Sequence, residues 1–69
     1  VTKALKYLVG ENLREVRKSR GLTQEKLAEQ LEVTPRYLAG IERGERNLSL
    51  DTLDALANKL DIDSKEFFS

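Results

Sequence analysis

Pro35 is the only proline among the 69 residues, and Thr34 stands directly before it. A proline has no N–H to donate, and its ring clashes with the preceding helical turn, so no helix runs through this point. The same residue is well placed at the first position of a helix, where the N–H would be unpaired anyway. Thr34 is suited to cap the N–H groups just beyond it. A helix therefore starts in mid-chain, and the apolar patterns on either side of it are short.

Upstream, Leu5, Leu8, Val9, Leu13 and Val16 recur at gaps of three and four, which predicts one amphipathic helix. Gly10 lies inside that pattern and puts its continuity in question, because glycine costs a helix about 1 kcal/mol relative to alanine. Gly21 is the expected end of this helix, after a last turn rich in Arg17, Lys18 and Arg20. Thr23 then caps a two-turn helix over about residues 24–31, with Leu27, Ala28 and Leu31 inward. The helix opened by Pro35 runs to about residue 43 with Leu38 and Ile41 inward, and stops near Gly44. Ser49 caps a fourth, with Asp51 in its first turn and Leu50, Leu53, Leu56, Ala57 and Leu60 as its stripe. Asp63 and Glu66 frame a last turn holding Phe67 and Phe68. Neither strand alternation nor an internal repeat is present. The expected fold is all-α: one domain over 1–69, a compact bundle of four to five short helices.

Composition narrows the function. With no cysteine and no histidine, the chain lacks thiolate metal sites, the commonest metal ligand and the usual general base. Asp51 and Asp54 form an acidic pair, but a helix's first turn explains them through its dipole. No catalytic residue, metal, cofactor or small-molecule ligand is expected, and the chain is not expected to be an enzyme. No apolar run approaches the roughly 20 residues that span a bilayer, so no membrane association is expected, and the protein is assigned to the cytoplasm. Twelve basic and twelve acidic side chains cancel to a net charge of zero, which by itself does not suggest nucleic acid. The distribution is uneven: residues 1–20 hold six basic and two acidic side chains, and residues 51–69 hold two and five. Such a layout allows one basic face, or simply a solvated surface.

The run Gly21-Leu22-Thr23-Gln24-Glu25-Lys26-Leu27-Ala28, followed by Val33-Thr34 and then Ile41-Glu42-Arg43-Gly44, resembles the Cro/CI-type helix-turn-helix family of phage and bacterial regulators. The resemblance covers roughly residues 8–68. Tyr37 and the stretch from Glu42 to Asn47 look most like controller proteins of restriction–modification systems. It implies a lambda-repressor-like fold and a sequence-specific regulator of transcription on double-stranded DNA, with the helix from Pro35 in the major groove. Matching that family's reading helix places Thr34, Pro35, Arg36, Tyr37, Ala39 and Gly40 at or beside the base edges. Arg36 is the foremost of these, since its planar fork can donate two bonds to a guanine. Tyr37 either reaches a thymine methyl or a phosphate, or packs half-buried against the preceding helix. Thr23, Gln24, Arg43, Arg46 and Asn47 are expected on phosphates.

Arg17 and Glu42 each border an apolar stripe with opposite charge, and the resemblance suggests a structural ion pair between them. It also implies a homodimer on a palindromic operator. Ile62, Phe67 and Phe68 are the expected interface: with Leu60 they are more apolar surface than a small C-terminal cap requires, one Phe closing the core and the other left for a partner. The family commonly has glycine in the turn between its two DNA-binding helices, where this chain has Glu32. The neutral charge and Glu32 leave a protein-interaction module or an antitoxin on the same fold as the alternative.

Overall fold

The computed structural model of the protein describes residues 4–69. Lys3, counted in the basic N-terminal stretch, lies outside the described residues, as do the first two positions of the expected domain. Four α-helices follow in order: α1 (Leu5–Ser19), α2 (Gln24–Leu31), α3 (Pro35–Glu42) and α4 (Leu50–Leu60). A short 3-10 helix over Ser64–Phe68 ends the chain. Among the described residues there is no strand, and no helix is long and apolar enough to cross a membrane.

Local chemistry sets both ends of these helices. The side chains of Thr23, Thr34 and Ser49 accept from Lys26 N, Tyr37 N and Thr52 N, satisfying one exposed donor at each start. Each helix then ends on a left-handed residue at the chain reversal: Gly21, Glu32, Gly44 and Asp61. The following N–H reaches back five residues each time, as in Leu22 N to Arg17 O and Val33 N to Ala28 O.

One core joins the elements. Leu13, Leu27, Leu31, Leu38 and Phe67 have no accessible surface, and Val9, Ala28, Ile41, Leu53, Leu56, Ala57 and Leu60 are nearly as buried. Phe67 closes the bundle from the C-terminal end, where the 3-10 helix packs on α1 and α4. Asn12 Nδ2 fastens it by donating to Phe67 O at 2.7 Å and Ser69 O at 3.2 Å.

One expectation holds and one is corrected here. Gly10 does not break the expected first helix, and α1 is continuous from Leu5 to Ser19. A β-carbon at Gly10 would strike Ile41 O and come within 2.9 Å of Glu42 O, so glycine lets α1 lie directly on the carbonyl end of α3. Leu5 and Leu50, placed by periodicity in the core stripes, are 65% and 74% exposed. Each opens its helix, where no other element among the described residues covers the first turn.

Candidate nucleic-acid interface

The start of α3 is built to be rigid and outward-facing. Thr34 holds Tyr37 N at 3.0 Å, Pro35 fixes the first helical backbone angle, and Leu38 and Ile41 anchor the opposite side in the core. Thr34, Pro35 and Arg36 are all exposed. Arg36 makes no hydrogen bond, ion pair or ring contact among the described residues, so its five donors are available.

The turn leading into α3 is tied down from behind. Glu32 is left-handed, at φ 60° and ψ 40°. Lys59 on α4 donates to Leu31 O at 3.0 Å and pairs with Glu32 Oε2 at 3.1 Å. The turn thus keeps its shape without glycine, and α3 is held at a set angle to α2.

The flank of α3 is built from side-chain contacts at the surface. Tyr37 is half-buried and carries the Arg46 guanidinium over its ring at 5.1 Å, a cation–π arrangement. The same side chain crosses Gly40: a β-carbon there would meet Arg46 Nε at 3.1 Å and Cγ at 3.3 Å. Gly40 is buried beneath Arg46, so the expectation that it faces base edges is corrected: the missing side chain makes room for arginine. Ala39 is half-buried beside it. Arg43 forks onto Glu45 at 2.9 and 3.0 Å on open surface. That hydrogen-bonded pairing raises the Arg43 pKa and lowers that of Glu45. Arg46 and Asn47 are exposed in the segment after α3.

At the front of α2, Thr23 is exposed and Gln24 half-buried. Gln24 Nε2 donates to Glu42 Oε1 at 3.0 Å, a contact between residues 18 apart that no sequence pattern signals. Glu42 also takes Arg17 Nε on Oε2 at 2.8 Å and Arg17 Nη2 on Oε1 at 3.2 Å. The remaining arm of Arg17 holds Leu22 O at 3.0 Å. Glu42 and Arg17 keep only 4% and 14% of their side-chain surface, so this charge pair is largely desolvated and fully partnered.

Thr23, Gln24, Thr34, Pro35, Arg36 and the segment after α3 therefore belong to two successive helix starts and their flank, the geometry of a helix-turn-helix. The Helix-turn-helix family model matches residues 13–67. The chain belongs to this helix-turn-helix family. One relative within reach is the immunity repressor protein of Bacillus phage phi105, 48% identical over 54 residues. The match covers 78% of this chain but only 38% of the phage protein, so the chain spans well under half that relative's length. Among solved structures, the restriction–modification controller protein C.AhdI from Aeromonas hydrophila superposes with a TM-score of 0.81 at 43% identity, covering 91% of this chain and 96% of that one. The controller protein C.Esp1396I, solved as a tetramer in complex with its natural 35 base-pair operator, superposes at 0.81 with 31% identity, covering 97% and 88%.

The expected dimer residues do not share one surface. Phe67 is fully buried and cannot meet a partner, because it is the side chain that closes the core; Ile62 is half-buried against that core. Phe68 alone is exposed, at 38%. It borders an apolar groove of about 190 Å³ together with Leu5, Val9, Leu48 and Leu50, with Arg46 and Asn47 also on its lining. Leu5 and Leu50, expected in core stripes, lie on this groove instead, each in the first turn of its helix.

Proposed function

We propose that the protein is a sequence-specific, double-stranded DNA-binding regulator of transcription that reads the major groove with the front of α3. One observation carries the reading: Arg36 stands exposed, without a partner among the described residues, on a capped, proline-started helix whose other face is locked in the core. A helix presented this way fits the groove in which every base pair shows a distinct set of donors, acceptors and methyls. Thr34, Pro35, Tyr37 and Ala39 flank Arg36. Thr23, Gln24, Arg43, Arg46 and Asn47 take the adjoining phosphates, with Arg43 exchanging Glu45 for a phosphate oxygen. The role is regulatory and not enzymatic, and acting on DNA places it in the cytoplasm of a bacterial or phage-infected cell.

A second copy of the chain covers the face formed by Leu5, Leu50 and Phe68. Those side chains present large apolar surface to water, which a partner's matching face removes. Arg46 and Asn47 line the same groove, so pairing there also orders the segment beside the reading helix. Twofold pairing sets two reading heads about 34 Å apart, one helical turn of DNA.

Selection from random duplexes, followed by footprinting, tests both statements, because it reports the half-site and its repeat. Arg36→Ala is expected to cost about 1–3 kcal/mol on the selected site and to relax preference at one base pair. An equal loss on every sequence would make Arg36 a phosphate ligand. A monomer by sedimentation at tens of micromolar, without DNA, would argue against the paired face. The uncovered apolar face also suits a protein-interaction module, and that reading requires no binding to any duplex even at low salt.

A further inference from the structure

The polar cluster beneath the front of α2 does more than join helices. Glu42 is almost completely buried, and its two oxygens receive three donors: Arg17 Nε, Arg17 Nη2 and Gln24 Nε2. Two of these would suffice for a structural ion pair. The third belongs to the residue that opens α2 and stands at the proposed DNA surface. An ionised carboxylate only accepts, so the nitrogen end of the Gln24 amide must be the end turned toward Glu42. The terminal torsion of a glutamine is otherwise broad and nearly two-fold, so an untethered amide would present its oxygen as readily as its nitrogen. An oxygen facing a phosphate repels it, whereas an N–H binds it.

We infer that Glu42 is a positioning residue for DNA binding: it fixes the Gln24 amide so that the second Nε2 hydrogen meets a backbone phosphate at the front of α2. This rests on the proposed reading of α2 as a phosphate contact and adds the group that orients it. Arg17 has a part in the arrangement. By matching the charge of Glu42, it lets a buried carboxylate sit one side chain away from a phosphate without net repulsion.

The experiment uses duplexes carrying the selected site with a single neutral methylphosphonate moved along each strand. Affinities are measured for the unaltered protein, Gln24→Ala and Glu42→Gln, at a temperature where circular dichroism shows all three folded. One substituted position next to α2 should weaken the unaltered protein about tenfold, the scale of a hydrogen bond to a charged group. Both variants should lose that sensitivity while keeping the sensitivities at other phosphates. If Glu42→Gln keeps the full penalty while Gln24→Ala loses it, Gln24 binds phosphate unaided and the positioning role is overturned. If Gln24→Ala keeps every penalty, the phosphate contact at α2 fails, and the inference fails with it.

A second measurement needs no variant. In the free protein one Gln24 side-chain amide proton should resonate downfield from its bonding to Glu42, and the second should follow when duplex is added. Two ordinary amide signals in the free protein would overturn the inference even if Glu42→Gln did not fold.

Discussion

Gly10 and Gly40 are both buried glycines inside helices, and they face opposite kinds of neighbour. Over Gly10 lie two backbone carbonyls at the end of α3, which cannot move without shifting a whole helix. Over Gly40 lies the side chain of Arg46, which can swing away. The first glycine marks a rigid seam, reinforced by the Arg17–Glu42 pair that crosses the same α1–α3 contact. The second marks an adjustable flank on which Arg46 rests against Tyr37. A glycine in a helix thus reports how close its neighbour comes, and the neighbour's stiffness decides whether the position governs stability or binding.

The contrast is open to direct attack. Removing the charge partner across the seam should have the largest effect: Arg17→Ala leaves Glu42 buried and short of two bonds, at a cost of about 3–5 kcal/mol in denaturant unfolding. An unchanged unfolding midpoint would mean the seam is not held by that pair. Gly10→Ala should come next. Overpacking against fixed carbonyls costs about 1–3 kcal/mol or more, and the better helix propensity returns only about 1 kcal/mol, so thermal stability should fall clearly.

Gly40→Ala should behave differently. Its stability should change by less than about 0.5 kcal/mol, because Arg46 gives way and the helix gains propensity. Duplex affinity should still drop as Arg46 leaves its stack, and the log–log salt slope should become shallower by about 0.9 if a phosphate contact is lost. Equal losses of stability in the Gly10 and Gly40 variants would erase the distinction. Glu32→Gly, in the turn ahead of α3, should have a small effect of opposite sign to that of Gly10→Ala. Relief of a left-handed non-glycine is worth about 1 kcal/mol, and loss of the exposed Lys59 pair takes back part of it. A net gain of about 0.5 kcal/mol in unfolding free energy is expected.

Features that depend on neighbours in the chain were readable without coordinates. Thr23, Thr34 and Ser49 cap because their hydroxyls need reach only three residues ahead, and Leu38 and Ile41 follow from one turn of helix. Features that depend on what lies opposite were not. Periodicity assigns Leu5 and Leu50 to apolar stripes but cannot tell that both side chains stay exposed. Phe67 and Phe68 are chemically identical neighbours, and only the packed bundle shows that the first fills the core and the second stays outside. The resemblance places Gly40 at or beside the base edges, whereas Arg46 from the segment beyond lies over it. The Gln24–Glu42 bond joins residues 18 positions apart through a carboxylate already committed to Arg17, and no local pattern carries that information.

The brevity of α2 and α3, eight residues each, has a consequence for how this surface is lost. Helices below about 12–15 residues are marginal on their own in water, so both exist only while docked. Amide exchange along α3 should then proceed through opening of the whole molecule and not through fraying of one element. On the proposed function, the ability to read a duplex should then disappear in a single cooperative step on warming, with no half-competent form left to occupy wrong sites.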